Sequence, residues 1–222
     1  MLENLIVPVL NRYDLLERMI ASIDYPIKHL LIIDNGASAV LENIDIDVPD
    51  VVKMATYLPM PANLGVAASW NLGIKSFPYD NRWFFASNDV VFGPGALQKL
   101  SEARSEDITL CGLSPFWQVF SLGYKAIQRV GLADEGFFPA YFEDNDLQRR
   151  ADRAGVTIRK LDMDVAHDNS STLRSDSHFV RRNSDTFLNN RDYYANKCST
   201  NDFTAGGWSV ERRRLNGWEA NR

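Results

Sequence analysis

The densest group of residues that could do chemistry is the run EDND at residues 143–146. Glu143, Asp144 and Asp146 place three carboxylates at the predicted start of a helix that ends at Gly155. Acids in the first turn of a helix stabilise it through the helix dipole, so these three could simply be a cap. Three acids exceed what a cap requires, however, and they repel one another. A carboxylate at a pocket wall could instead act as a general base towards a hydroxyl group.

Another carboxylate, Asp89, follows the bulky apolar run WFFAS at residues 83–87. It could tighten a turn between a strand and a helix. Alternatively, it could hold a hard divalent cation, which prefers oxygen ligands. His167 follows a different predicted strand and could add a nitrogen ligand, although a single histidine is more often structural.

Asp34 likewise ends an apolar run, HLLIID at residues 29–34, and the sequence Asn35-Gly36 that follows is typical of a turn. Its carboxylate could cap backbone amides of that turn. It could also recognise a base, because a carboxylate only accepts hydrogen bonds and the pairing edge of uracil or thymine offers one N–H donor. The residues alone leave both interpretations open.

The apolar runs predict the scaffold that would position these carboxylates. Strands and helices alternate over the first ninety residues, and the strands lack the clean polar alternation of a half-exposed sheet, which indicates a buried and largely parallel one. Such sheets bind ligands at the carboxyl ends of their strands, where Asp34 and Asp89 fall. Strands are predicted at 4–10, 29–34, 51–58, 82–87, 108–113 and 156–162, and helices at 12–23, 63–77, 124–131 and 142–155.

Length and composition indicate an ordinary globular protein. The chain has 222 residues, of which 45% are hydrophobic and 24% charged. No apolar run approaches the roughly 18 residues needed to span a bilayer, so no transmembrane segment is predicted. The N-terminus has an early Glu3 and no basic start, unlike a secretory signal. Cys111 and Cys198 lack metal-ligand spacing and are predicted to be reduced thiols of a cytoplasmic protein, with a single disulfide between them as the alternative.

The net charge of −5 is unevenly distributed along the chain. Residues 171–222 carry nine basic and six acidic side chains, and residues 212–214 are three consecutive arginines. A solvated tail is the simpler interpretation. The alternative is a basic surface for an anionic partner such as lipid phosphate, an acidic glycan or a nucleic acid.

Two common nucleotide-binding motifs are absent from the sequence. It contains no G-x-x-x-x-G-K-[ST] phosphate loop, and no G-x-G-x-x-G follows the first predicted strand. Kinase-like and NAD-binding functions are therefore disfavoured, despite the alternation of strands and helices.

Six stretches of the chain, in this order, resemble glycosyltransferase family 2, and most of all its rhamnosyltransferase-like members. They span roughly residues 5–174 and read VPVLNRYDLLERMIASI, LLIIDNGA, NLGVAASWNLGI, WFFASNDVVFGPGAL, VGLADEGFFPAYFEDNDLQRRADRAG and VAHDNSSTLR. The resemblance implies a single GT-A-like (Rossmann-like) α/β domain over residues 1–174, with a mostly parallel central sheet flanked by helices. Residues 175–222 are then predicted to be a C-terminal extension that packs on or near this domain.

The resemblance also implies roles for individual residues. Asp144 is expected to be the catalytic base, with Glu143 beside it as a second catalytic residue. Asp89 and His167 are expected to bind a divalent cation, Mn²⁺ or Mg²⁺, next to the diphosphate. The residues expected to bind the nucleotide sugar are Pro8, Asn11, Asp34, Asn63, Gly65 and Asn88.

Together these features predict an inverting glycosyltransferase that moves a sugar from a UDP or dTDP donor to an acceptor hydroxyl. The acceptor would be a glycan, a lipid-linked compound or another hydroxyl compound, with a nucleic acid less favoured. The chain departs from the family where D-x-D is reduced to SND, which leaves Asp89 as the only acid, and where VLNR replaces T-Y-N-R. A nucleotide-sugar-binding protein without transfer activity is therefore the alternative. A nucleotidyltransferase would need a basic, glycine-rich loop near the first strand, and VPVLNRYD has no glycine.

Overall fold

A computed structural model of the chain describes residues 1–36, 47–103, 107–111, 116–167 and 177–203. Within these ranges all the predicted strands and helices are present, together with three strands and two helices that the apolar pattern did not predict. The strands are β1 (Leu5–Val9), β2 (Leu30–Asp34), β3 (Ala55–Pro59), β4 (Arg82–Ala86), β5 (Val90–Phe92), β6 (Ile108–Cys111), β7 (Val119–Gly123), β8 (Ile158–Leu161) and β9 (Val165–His167). The helices are α1 (Tyr13–Ala21), α2 (Val66–Ser76), α3 (Ala96–Glu102), α4 (Tyr124–Val130), α5 (Glu143–Ala154) and α6 (Ser177–Thr200).

Seven strands form the central sheet, in the order β3-β2-β1-β4-β7-β6-β8. Strands β3, β2, β1 and β4 are parallel to one another, whereas β7 pairs antiparallel with both β4 and β6. Strand β8 lies parallel to β6, so β7 alone runs against the other described strands of this sheet. Strands β2 and β4 are buried at every position. The prediction of a mostly parallel, buried sheet is confirmed.

The side chains of the sheet alternate between two hydrophobic layers. In β1, Leu5 and Val7 belong to one layer and Ile6 belongs to the other. Helices α1 and α3 cover the first layer, and helices α2, α4 and α5 cover the second. Because neighbouring residues of a strand face opposite sides of a sheet, the sheet lies between two layers of helices. Ligands of such sheets bind at the carboxyl ends of the parallel strands.

A second, two-stranded sheet was not predicted and sets the position of two candidate residues. Strands β5 and β9 pair antiparallel, with Val90 opposite His167 and Phe92 opposite Val165. Asp89 directly precedes β5, so this register brings it to the last residue of β9. The short strands thereby join parts of the chain more than seventy residues apart.

The ends of several predicted elements shift in the structure. Strand β3 begins at Ala55 rather than at residue 51, because Val52 forms only an isolated bridge to Ile27. None of the helices in the described ranges is both long and apolar enough to cross a membrane. The three arginines at 212–214, on which the basic-tail hypothesis depends, lie outside the described residues.

Candidate active site

The carboxylate of Asp34 lies at the end of β2, where it accepts three hydrogen bonds. The hydroxyl of Tyr13 donates to Oδ1 over 3.0 Å, and the backbone N–H of Gly36 donates to the same oxygen over 2.8 Å. The hydroxyl of Tyr57 donates to Oδ2. Burial, together with these interactions with Asp34, raises the pKa of the Tyr57 phenol. The turn interpretation of Asp34 is thus seen directly, while its contact with a nucleobase stays a prediction.

Asn88 links the loop after β4 to the loop after β1. Its side chain is buried, and Nδ2 donates to the backbone oxygen of Asn11 over 3.1 Å and to that of Arg12 over 3.4 Å. Arg12 has a φ of 58° and directly precedes α1. Pro8 lies within β1, opposite Ile33 of β2. Asn88 and Asn11 are therefore joined next to Asp89, and Pro8 lies one residue before the end of β1.

Asp89 and His167 form a close pair at this edge. The register of β5 with β9 places Nε2 of His167 3.2 Å from Oδ1 of Asp89, and both side chains are largely buried. Two neighbouring ligands of an octahedral cation, each about 2.1 Å from it, are roughly 3 Å apart, so this spacing suits shared coordination. No group of three or more metal-ligating side chains occurs among the described residues. Among the described residues, this pair therefore brings together one carboxylate oxygen and one imidazole nitrogen, and its binding of a cation stays a prediction.

The predicted residues Asn63 and Gly65 shape the start of α2. Oδ1 of Asn63 accepts the backbone N–H of Gly65 over 2.8 Å. Gly65 has a φ of 82°, and a Cβ atom there would lie 2.9 Å from the backbone oxygen of Pro139. The N–H of Val66 donates to that same oxygen over 2.7 Å. Asn63 thus fixes Gly65, and the missing side chain of Gly65 lets the start of α2 approach Pro139 in the segment that precedes α5.

Asn35 connects the end of β2 to this same region and was not predicted as a site residue. Its Nδ2 donates to Oγ of Ser69 over 2.9 Å, and its Oδ1 accepts the N–H of Leu64 over 3.0 Å. Contacts thus run from the end of β2 through the start of α2 to Pro139, four residues before Glu143. These contacts connect the predicted nucleotide-binding residues at the end of β2 to the segment that leads into the acidic cluster at the start of α5.

The two acids at the start of α5 differ in their surroundings. Glu143 is 7% exposed, and its Oε2 has no hydrogen-bond partner within the described residues. Burial, followed by the nearby charge of Asp144, raises the pKa of Glu143 to about 8. Asp144 is less buried, and its Oδ1 accepts the N–H of Asn145 over 2.8 Å. Burial also raises the pKa of Asp144, which makes its carboxylate a stronger base once ionised.

The third acid of the cluster, Asp146, is fully buried and held by two cations. Oδ2 lies 2.8 Å from Nε of Arg150, and Oδ1 lies 2.6 Å from Nζ of Lys197 on α6. Lys197 also reaches Asp134, at 2.5 Å. Asp146 is thus engaged inside the protein, and Glu143 and Asp144 remain as the acids that could face a substrate. Sequence reasoning missed Lys197, because nothing local marks it as the partner of an acid fifty residues earlier.

Comparison with solved structures identifies the fold class. The chain is similar to S. aureus TarS, with a TM-score of 0.55, 13% identity, and coverage of 73% of this chain and 35% of TarS. For GalNAc-T7 with UDP, GalNAc and Mn²⁺, the TM-score is 0.60 and the identity 9%, with coverage of 75% of this chain and 44% of that one. A third similar structure is a mutant Drosophila β1,4-galactosyltransferase 7 with manganese, UDP-Gal and xylobiose. Its TM-score is 0.51 and its identity 11%, with coverage of 79% of this chain and 74% of the galactosyltransferase.

These likenesses establish a GT-A-like fold, as the sequence predicts. The chain spans about a third of the length of TarS and under half that of GalNAc-T7. No protein-family model matches the sequence, and no curated protein matches it either. Membership of glycosyltransferase family 2 therefore stays a prediction.

Proposed function

We propose that this protein is an inverting glycosyltransferase that takes a sugar from a nucleoside diphosphate sugar, with UDP or dTDP favoured, and passes it to an acceptor hydroxyl. The observation that carries the proposal is the β5–β9 pairing, which sets Asp89 against His167 at the strand ends of a GT-A-like sheet. Ligands of such sheets bind at this edge. The similar structures of GalNAc-T7 and the galactosyltransferase contain UDP or UDP-Gal together with manganese, which supports a nucleotide donor and a divalent cation.

In this proposal Asp144 accepts a proton during the reaction, whereas Glu143 keeps its own. Asp144 takes the proton of the acceptor hydroxyl, and the acceptor oxygen then forms its bond to the anomeric carbon of the sugar. The bond from that carbon to the nucleoside diphosphate breaks on the opposite face, so the configuration inverts. Glu143, with a pKa of about 8, stays protonated at neutral pH and adds no second negative charge beside the base.

The residues present fit a divalent cation held by Asp89 and His167. When bound there, Mn²⁺ or Mg²⁺ would supply Lewis acidity to the departing diphosphate. Asp89 and His167 would hold the cation on the nucleotide side of the site, whereas Asp144 acts on the acceptor.

A nucleotide-sugar-binding protein without transfer activity is the second candidate. The observation in its favour is the SND sequence, which supplies a single acid where the family has two. Such a protein would bind the nucleotide sugar without breaking the bond between the sugar and the nucleoside diphosphate. Binding and release must therefore be measured separately.

We expect UDP or dTDP sugars with Mn²⁺ to stabilise the protein against heat. At a ligand concentration of about 100 times the Kd, the stabilisation is roughly 2.7 kcal/mol, which a thermal-shift assay detects readily. The Asp34→Ala variant should lose the ligand-induced shift. Tyr57→Phe, which removes one donor to Asp34 but keeps the carboxylate, is the control and should retain it. A response to CMP sugars, with none to uridine or thymidine donors, would contradict the proposed base specificity.

Removing the metal ligands should weaken binding of the nucleoside diphosphate. With Mn²⁺ present, Asp89→Ala is expected to lower UDP affinity more than tenfold, and His167→Ala less, because imidazole is one ligand among several. Asp152→Ala removes an exposed acid of α5 and is the control. Titration calorimetry with and without EDTA measures the effect. If EDTA changes neither affinity nor turnover, Asp89 is a structural residue.

A further inference from the structure

We infer that helix α6 completes the catalytic site and that Asn190 is its positioning residue, which holds the segment 138–142 leading into α5. This inference rests on the proposed function, because it concerns the acids that act on the acceptor. Residues 175–222 lie beyond the stretches that resemble family 2, so the resemblance assigns α6 no role.

Asn190 is buried in the turn of chain that precedes the catalytic acids. It is 5% exposed, and its Nδ2 donates to the backbone oxygen of Ala140 over 2.7 Å. The backbone oxygens of Phe138 and Tyr141 each lie 3.3 Å from the same nitrogen. This segment has no regular secondary structure, so its carbonyls depend on donors from elsewhere. The Asn190 amide of α6 supplies the donor for the oxygens of Phe138, Ala140 and Tyr141, while those of Pro139 and Phe142 accept the backbone N–H groups of Val66 and Asp146.

Two residues of this segment have an unfavourable backbone conformation, which contacts with the rest of the protein must stabilise. Tyr141 and Phe142 have φ angles of 81° and 71°, which residues other than glycine adopt rarely and at a cost. Phe187 of α6 packs against both rings, with centroids 5.4 Å and 5.1 Å away. Tyr194 stacks on Phe142 at 5.7 Å. Helix α6 therefore covers the two residues immediately before Glu143.

A second anchor lies on the other side of the acids. Lys197, also on α6, binds Asp146 at 2.6 Å and Asp134 at 2.5 Å. Asn190 holds the chain before Glu143 and Asp144, and Lys197 holds it after them. The two acids are therefore bracketed by contacts to one helix, and their position depends on where that helix lies.

The contacts of Asn190 concern the position of Glu143 and Asp144 and not the binding of the donor. Loss of the Asn190 amide would let segment 138–142 relax and move the first turn of α5. A catalytic group displaced by about 1 Å can cost on the order of 10²-fold in rate. Asn190 bonds the oxygens of Phe138, Ala140 and Tyr141, whereas the contact of this segment with the predicted nucleotide side is made by Pro139, whose oxygen is held by the N–H of Val66 and not by Asn190. Donor affinity should therefore be preserved.

Asn190→Ala is expected to lower kcat for sugar transfer by roughly 10–100-fold while the Kd for the nucleoside diphosphate stays within about twofold. Asn190→Asp keeps the size of the side chain but removes both N–H donors, and should lose at least as much. Asn189→Ala, the exposed neighbour on the same helix, should behave as the wild type. Ile127→Val, in the core of α4, controls for a general loss of stability.

Hydrogen–deuterium exchange gives a readout that needs no activity. Amides in residues 138–146 should exchange faster in Asn190→Ala than in the wild type, and should be unchanged in Asn189→Ala. Unchanged exchange and wild-type kcat in Asn190→Ala would overturn the inference, as would an equal loss of donor affinity and kcat. If the wild type transfers no sugar, the proposed function fails, and the exchange measurement still decides whether Asn190 holds the segment.

Discussion

Replacing Asp144 with asparagine is expected to slow sugar transfer by roughly 10²–10⁴-fold, the usual contribution of a general base. The asparagine keeps the shape of the side chain and the first turn of α5, but its amide cannot take a proton. Donor affinity should stay within about twofold, because Asp144 faces the acceptor in the proposed arrangement. Steady-state transfer rates, measured beside donor affinity for the same variant, test this directly.

The neighbouring acids provide the comparison for Asp144→Asn. Glu143→Gln should cost less in kcat, because Glu143 is already uncharged at neutral pH in the proposed mechanism. Asp146→Asn breaks buried ion pairs to Arg150 and Lys197, so it should lower stability more than it lowers kcat. If Asp144→Asn transfers sugar at the wild-type rate while Glu143→Gln is inactive, the base is Glu143. If all three variants are active, the acids are only a helix cap.

Glu143→Gln is also expected to stabilise the protein at high pH. The pKa of Glu143 is about 8 in the folded protein, against an ordinary value of 4.5. Between these two values the unfolded chain has released the proton and the folded protein has kept it, so stability falls as the pH rises through this window. Glutamine removes that dependence. The gain over the wild type at pH 9, relative to pH 4.5, should be roughly 2–5 kcal/mol.

Chemical denaturation at a series of pH values measures this effect. The wild type should lose stability progressively from about pH 4.5 to pH 8, and the difference between Glu143→Gln and wild type should grow over the same interval. Glu17→Gln, an exposed substitution on α1, is the control and should not change the shape of the curve. Parallel curves for Glu143→Gln and wild type would show that Glu143 is ionised in the folded protein at neutral pH.

Much of the central sheet could be predicted from local sequence, because its strands are buried on both faces. The runs LIVPV, LLIID and RWFFA read as strands from apolar content alone, and all three form the parallel core. The turn after Asp34 was equally local, since Asn35-Gly36 marks it in the sequence. The position of Asp34 and Asp89 at strand ends then followed from the rule for parallel sheets.

Pairings between distant parts of the chain could not be predicted from pattern. Strand β7, VFSLG, contains serine and glycine, and its antiparallel direction depends on its neighbours β4 and β6 rather than on its own residues. The β5–β9 pair has three residues on each side, too few for a periodic signal. The hydroxyls of Tyr13 and Tyr57 reach Asp34 only because three elements meet at its carboxylate.

The role of helix α6 in the site could not be predicted from local sequence either. Its sequence has polar and aromatic residues without a clear apolar stripe, and local reasoning left it unassigned. The contacts that matter lie about fifty residues back along the chain, from Asn190 to Ala140 and from Lys197 to Asp146. A basic residue and an amide in a polar stretch indicate a solvated surface until such partners are known.

Release of nucleoside diphosphate from a donor sugar is the measurement that tests the central claim most directly. The purified protein is incubated with UDP and dTDP sugars and Mn²⁺, with water or a mixture of hydroxyl compounds as acceptor, and the released nucleotide and the anomer of the product are followed. We expect release that requires Asp144, is suppressed by EDTA, and gives an initial product of inverted configuration. Binding without release would instead show a nucleotide-sugar-binding protein. Pyrophosphate formation from a nucleoside triphosphate and a sugar phosphate, with no release from any nucleotide sugar, would show a nucleotidyltransferase and contradict the account.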